Sequence, residues 1–323
     1  MKDNREKRIL TIFFRALHGE SLSVKQLALE FGLSTKSISR DINVIHAFLF
    51  ENRELLGNTE LIYSHKEKAY VLKNDEFLKN SELFALVKII IGSRSLNKED
   101  ILNIIRKIKR VTTVSDRKKL EKLIRKEIYH YHEVKSDCRS VIDNVWEIAQ
   151  AIENCQVLTI TYYKMNRQEV KYKIKPVSIM FSEYYFYMIA YKYEDLNFRP
   201  VYFRIDRISS ITENHEKFSL AREHSFDEGD LREKNQFMFP GENIRICFEF
   251  SGLSLQAILD RLPTARVVEK KENGVSVVEA EVNNGRGILM YLLSQGAWVK
   301  VISPDSLIED LKKELEKMNA LYK

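Results

Sequence analysis

Thr35, Lys36, Ser37, Ser39, Arg40 and Asn43 crowd into one short stretch of the chain. Hydroxyls and cations are the groups that hold phosphate oxygens, and Arg and Asn are the side chains that bond purine edges in two places at once. The surrounding residues 23–49, SVKQLALEFGLSTKSISRDINVIHAFL, show how such a set would be presented. Val24, Leu27, Ala28 and Phe31 fall at i, i+3, i+4 and i+7, the stripe of one amphipathic helix. Ile38, Ile42, Ile45 and Leu49 make the stripe of a second, and the six polar residues point away from it. Between them Gly32 suits the positive φ of a helix end, and Ser34 or Thr35 can cap the second helix. Ala28 and Gly32 are small where two helices would cross. An ordinary helical hairpin with a wet polar face has the same pattern, so the flanks must decide.

Upstream, Arg8 to Leu17 reads as a first helix. Downstream, residues 60–63 and 68–72 read as short strands around the polar turn Ser64-His65-Lys66-Glu67. Helix, helix-turn-helix and hairpin make a winged helix, with Lys66 and Lys68 on the wing beside a phosphate backbone. The stretch resembles the N-terminal domain of DeoR-type bacterial regulators, whose recognition helix carries Ser-x-x-x-Ile-x-Arg-Asp-Ile. Ser34, Ile38, Arg40, Asp41 and Ile42 occupy those places here.

At 323 residues the chain is long for one domain, and 44% hydrophobic residues suffice for real cores. The net charge of +6 permits nucleic-acid binding without demanding it, because the charge must be local to matter. Cys138, Cys155 and Cys247 are far apart, with no CxxC pair, which argues against a zinc finger or a disulfide framework and fits a reducing cytosol. The charged start MKDNREKR has no signal-peptide core, and no apolar run reaches membrane-spanning length. A soluble, cytoplasmic protein is expected.

Residues 75–140 read as a charge-dense helical spacer, with helices over residues 81–91, 100–109 and 116–128. Their Lys and Arg runs are read as the solvated side of a bundle rather than as a second nucleic-acid face.

Residues 141–215 change period. After a helix at residues 145–152, Leu158, Ile160 and Tyr162 alternate with Thr159, Thr161 and Tyr163, and Lys171, Lys173 and Lys175 share one face of a strand. Residues 184–191 read as a central strand. Over residues 201–208, alternation puts Tyr202, Arg204 and Asp206 on one face and Phe203, Ile205 and Arg207 on the other. Short strands at this spacing suggest a small barrel. Cations interleaved with Tyr162, Tyr163, Tyr185 and Tyr187 are what stacked bases and chelated phosphates require, and equally what a tyrosine-rich core with a wet lysine face would show. Pro176, then Phe186-Tyr187-Met188-Ile189-Ala190-Tyr191, then Phe203-Arg204-Ile205-Asp206-Arg207-Ile208 resembles the signature of WYL-domain proteins, with Phe186 for Trp and Met188 for Leu. The resemblance implies an SH3- or Sm-like barrel that senses nucleic-acid-derived ligands such as short single-stranded DNA. It makes Tyr187, Arg204 and Arg207 the first ligand-contact candidates, joined by Tyr162, Tyr185, Lys171, Lys173 and Lys175. Arg204 and Arg207 reach one ligand only where a bulge or a strand end re-aims one of them. Asp206 is expected to orient an arginine or cap a turn.

Residues 216–242 are polar and charged and read as a linker. Residues 243–323 read as strand, helix, two strands around Glu272-Asn273-Gly274 (a type I′ hairpin signal), helix, strand and final helix. That order is ferredoxin-like. Leu307, Leu311, Leu315 and Met318 are expected to face inward from the last helix. Gly296, Val299, Val301, Pro304 and Leu307 resemble the C-terminal extension of WYL proteins. The expectation is an α+β multidomain chain: winged helix over 1–74, helical spacer over 75–140, SH3/Sm-like barrel over 141–215, linker over 216–242 and ferredoxin-like domain over 243–323.

Catalysis finds little footing. His130 and His132 stand two apart, on different faces of a helix, with no cysteine to complete a metal set, and no Walker A, G-x-S-x-G or GxGxxG occurs. No cofactor and no metal are expected. The resulting expectation is a homodimeric transcriptional regulator that binds a double-stranded DNA operator and responds to a single-stranded nucleic acid or oligonucleotide effector. A regulator sensing a small metabolite or a protein partner is the alternative, and an accessory to nucleic-acid processing a more distant one.

Overall fold

The amphipathic stripes of the first segment become α1 (Arg5–Leu17), α2 (Val24–Phe31) and α3 (Thr35–Glu51) in a computed structural model of the chain, which describes residues 5–56, 58–73, 80–110, 114–220, 227–272 and 274–323. Ile12, Leu27, Ile38, Ile42, Ile45 and Leu49 are fully buried and form one core. Gly32 ends α2 at φ 63°, and the Ser34 hydroxyl accepts from the Ser37 amide to cap α3. Gly32 works through its backbone alone, since nothing lies within 4 Å of where its Cβ would stand, and the expected close crossing does not occur there. After the short α4 (Arg53–Leu56), β1 (Glu60–Ser64) and β2 (Ala69–Lys73) form an antiparallel hairpin, which Leu22 joins by a bridge to Tyr70. α5 (Asn80–Ser93), α6 (Lys98–Arg110) and α7 (Val114–Tyr129) share a second core of Val87, Ile101, Ile105, Leu120 and Ile124, closed by the Tyr131 hydroxyl donating to the Leu96 carbonyl at 2.6 Å. The expected boundary at 74/75 lies outside the described residues. These elements make up one compact unit, Met1–Glu133, and Val134–Lys323 forms another.

In the second unit, α8 (Val141–Glu153) packs against a five-stranded antiparallel sheet. Its strands are β3 (Gln156–Tyr163), β4 (Glu169–Ser182), β5 (Tyr185–Lys192), β6 (Pro200–Arg204) and β7 (Ile208–Lys217), in the order β6-β5-β4-β3-β7. The last strand thus returns to pair with the first. β4 is much longer than the expected lysine strand and carries a register shift between Pro176 and Ser178. A 3-10 turn, Ile205–Arg207, separates β6 from β7, so strict alternation stops at Arg204 and the expected faces of Asp206 and Arg207 do not hold.

The segment whose composition reads as a linker contains α9 (Glu228–Lys234), and Leu231 and Met238 are buried with Met180 and Ile189 of the sheet. Polar residues dominate this stretch because, among its described residues, only Leu231, Gln236 and Met238 are buried. Its residues 221–226 lie outside the described set. β8 (Asn243–Phe250), α10 (Leu255–Arg261), β9 (Arg266–Lys270), β10 (Ser276–Asn283), α11 (Arg286–Ser294), β11 (Val299–Ser303) and α12 (Asp305–Ala320) come next, their strands forming an antiparallel sheet in the order β11-β8-β10-β9. Phe248, Leu262, Val278, Ile288 and Leu307 fill its core. Asn273 of the expected turn lies outside the described residues. Leu315 and Met318 do not face inward. They are half-exposed and, with Leu293 and Val301, line an apolar groove beside the edge strand β11. Among the described residues no helix is long and apolar enough to cross a membrane.

Candidate nucleic-acid-binding sites

The first site is built on α3. Asp41 falls on the same helical side as Ile38, Ile42 and Ile45, and a carboxylate there must find a cation to be buried. It accepts from Arg8 Nε at 2.7 Å and from Arg5 Nε at 3.1 Å, both on α1. This pair fixes the rotation of α3 and turns the opposite side outward. Thr35, Lys36, Arg40 and Asn43 are exposed there, with Ser37 and Ser39 half-buried beside them. The Ser37 hydroxyl is engaged with Ser34 at 3.0 Å, so it is the least free of the six. Lys66 and Lys68 are exposed in the turn between β1 and β2, where Lys68 adopts φ 52°. Glu67, between them, accepts a hydrogen bond from the Ser21 hydroxyl, which turns the acid back toward the entry to α2. Ser23, Lys25, Thr35, Tyr63 and Lys68 line one open concavity between α2, the start of α3 and the hairpin. Asp41 had a readable signal in the sequence: its place in the apolar stripe.

The second site lies at one end of the five-stranded sheet. Directly opposed residues of antiparallel strands share a face, and Tyr187 stands opposite Arg204 on β6 and Met180 on β4, while Tyr185 stands opposite Ser182. The Arg204 guanidinium lies 3.3 Å from the Tyr185 ring centroid, a cation–π contact. It also donates in parallel to Asp206, Nε to Oδ1 at 3.1 Å and Nη2 to Oδ2 at 2.7 Å. Burial works against the arginine's charge, but the Asp206 carboxylate outweighs it and holds the guanidinium above its ordinary value. The Asp206 backbone carbonyl in turn accepts from Asp137 N at 2.8 Å, Ser136 Oγ at 3.1 Å and Cys138 N at 3.3 Å. The turn that bears the motif is therefore clamped from outside the sheet, by a loop no sequence signal had singled out.

The 3-10 turn settles how two arginines meet. Burial raises the Tyr187 hydroxyl, while the nearby charges of Arg204 and Arg207 both lower it. Tyr162 belongs to the other face, packed edge-on against Phe203 at 5.2 Å, and its hydroxyl reaches Arg207 and the Arg204 backbone at the sheet's end. Burial is again the leading cause of its raised pKa. Arg204, Arg207, Tyr162, Tyr185 and Tyr187 thus come together. The lysines do not join them. Lys175 stands opposite Tyr191, four residues along β5 from Tyr187, which is about 13 Å of strand. Ile189, covered by Leu231 and Met238, lies between. Lys173 is taken by Glu216 at 2.8 Å and the Tyr193 ring at 3.8 Å, and Lys175 lies over Tyr193 and Phe198. Lys171 is exposed on the same strand face.

Solved structures similar to this chain include the following two. Proteasome accessory factor B/C of Arthrobacter aurescens is 16% identical, with a TM-score of 0.29, over 96% of this chain and 47% of that one. The chain therefore spans about half that protein's length. A CRISPR Cas-related protein is 15% identical, with a TM-score of 0.38, over 77% of this chain and 75% of that one. No curated protein matches it. Residues 143–213, from α8 to β7 and including the arginine–tyrosine site, match the WYL domain, and residues 242–318, the four-stranded sheet with its helices, match the WCX domain. This chain carries a WYL domain followed by a WCX domain.

Proposed function

We propose that the protein is a DNA-binding transcriptional regulator whose WYL domain senses a nucleic-acid-derived ligand. The observation that carries the reading is the α3 surface. A buried Arg8–Asp41 pair holds the helix so that Thr35, Lys36, Arg40 and Asn43 face solvent together, beside a hairpin tipped with Lys66 and Lys68. Helices α1 to α3 followed, after the single turn of α4, by a hairpin support a winged helix, in which α3 would enter the major groove. The strand order of the WYL sheet supports an SH3-like barrel, and the WCX strand order supports a ferredoxin-like fold.

At the sensor, Arg204 is preorganised by Asp206 and Tyr185, Arg207 lies nearby, and Tyr187 offers a ring. Two cations with an aromatic suit a phosphate followed by a base, the repeating chemistry of a short single strand. Such a ligand changes operator occupancy only if it binds the DNA-competent and DNA-incompetent states unequally. One winged helix covers little DNA, so the protein works as a homodimer on an inverted repeat.

Gel shifts of the full-length protein on its own upstream region, with and without short oligonucleotides, test the reading. A shift that oligonucleotides modulate supports it. Tight binding of a neutral metabolite with no oligonucleotide binding at low salt replaces the sensor assignment, and a monomer in sedimentation that holds one half-site at full affinity removes the dimer.

A further inference from the structure

Beyond α3 and the hairpin, the outward side of α7 carries a stripe of exposed cations. At 100° per residue, Lys118, Lys122, Arg125 and Tyr129 fall within about 60° of one another, and Lys126 borders them. All five are exposed. Two acids of the helix, Glu121 and Glu127, are drawn off this stripe. Glu121 accepts from Lys109 Nζ of α6 at 2.6 Å, and Glu127 pairs with Lys88 of α5. Among the described residues, no ion pair or hydrogen bond engages the side chains of Lys118, Lys122, Arg125 or Lys126.

A merely solvated face looks different in this same protein. On α12, Lys312, Lys313 and Lys317 each pair with an acid three residues earlier, Glu309, Asp310 and Glu314. On the open face of the WCX sheet, Arg245 pairs with Glu281, Arg266 with Glu279 and Lys271 with Glu249. α7 instead keeps like charges at i,i+4, Lys118 with Lys122 and Lys122 with Lys126, an arrangement that weakens a helix standing alone. Its uncompensated charge is accounted for by a polyanion. Lys118 to Arg125 spans about 10 Å of helix, against about 3.4 Å of axis per phosphate along one DNA strand.

We propose that this face of α7 is a second nucleic-acid site, taking the sugar–phosphate backbone of duplex DNA without reading sequence. The proposal rests on the duplex-binding reading of α3 and adds to it a contact that base identity does not affect. A stripe of cations laid along the sugar–phosphate backbone grips every sequence alike, so it lengthens the footprint and steepens the salt dependence.

The test is fluorescence anisotropy of the full-length protein on a labelled upstream duplex and on an unrelated duplex, across a salt series. The variant is Lys118→Gln/Lys122→Gln/Arg125→Gln/Lys126→Gln, with Lys122→Gln/Arg125→Gln as a milder form in case the first fails to fold. The log–log salt slope is expected to become shallower by about 0.9 for each phosphate no longer neutralised, with affinity for both duplexes falling by the same factor. An unchanged slope in a folded variant overturns the proposal, as does a loss confined to the upstream duplex. Arg40→Ala separates the two sites: failure of the α3 reading leaves the preference for the upstream duplex intact in Arg40→Ala, and failure of the α7 site leaves the slope intact in the glutamine variants. An unmodified protein that binds no duplex at low salt overturns both.

Discussion

Arg8 donates to Asp41 at 2.7 Å with both side chains buried, one on α1 and the other on α3. Removing one partner of such a pair strands the other's charge away from water, which costs about 3–5 kcal/mol. Asp41→Ala is therefore expected to lower stability by that amount in urea unfolding of the full-length protein. Arg8→Met with Asp41→Leu should recover much of the loss, because no buried charge then remains. Equal destabilisation by the single and double changes would show that packing, not charge, dominates.

The outward side of the same helix predicts the opposite profile. Arg40→Ala should weaken binding to the upstream duplex by about 1–3 kcal/mol while leaving thermal unfolding within about 0.5 kcal/mol of the unaltered protein. Arg40 is exposed and lies across the helix from Ile38 and Ile42. Unaltered affinity in the folded variant would remove α3 from base reading.

At the WYL site, Arg204→Ala combined with Arg207→Ala should abolish binding of short single strands and leave basal duplex binding in place. Each phosphate that the protein ceases to neutralise on a single strand flattens the log–log salt slope by about 0.7, so isothermal titration at two salt concentrations reads the change directly. Asp206→Asn leaves Arg204 in place but frees it from its carboxylate clamp. That variant should bind more weakly than the unaltered protein and more tightly than the double alanine.

Alkaline pH supplies a prediction from burial. Tyr202 is pushed from 10.0 up to about 12, chiefly by burial, and burial also raises Tyr162, Tyr187, Tyr191 and Tyr291. Between those two values the unfolded tyrosine has lost its proton while the native one keeps it. The native state then binds more protons, so stability falls as pH rises through this window. Below it the contribution is fully present. Tyr202→Phe should make the decline shallower, as followed by denaturant unfolding at several alkaline pH values. An identical decline in both proteins would place the effect on other tyrosines.

Much of the secondary structure is legible in the sequence, and the reasons are local. The stripes at Val24, Leu27 and Ala28 and at Ile38, Ile42 and Ile45 place α2 and α3, because helical periodicity and the Gly32–Ser34 punctuation agree. Strand alternation places β3 and β8 for the same reason. What escapes such reading depends on partners distant in sequence. Alternation cannot foresee the 3-10 turn at Ile205–Arg207, which brings Arg207 back toward Arg204 and Tyr187. The lysines share one face, as their period implies, and the register makes it the face of Tyr187, yet the intervening Ile189 is roofed by Leu231 and Met238 from about 40 to 50 residues away, a distance no local pattern carries. Polar composition hid that roof, since a segment that buries only a few side chains still exposes mostly charge.

The stretch that composition marks as the place to cut is a seam. A Cβ at Gly287 would collide with the Gln236 carbonyl, and one at Gly241 with the Asn284 backbone, so the seam is pressed against the WCX domain on one side as Leu231 and Met238 press against the WYL sheet on the other. A fragment that stops short of residue 227 would leave Met180 and Ile189 bare to water, an oily window in the sheet. Expressed alone, it should clump, and light scattering should show particles far larger than one chain. A fragment running from residue 134 to the end keeps the window shut and should stay dispersed.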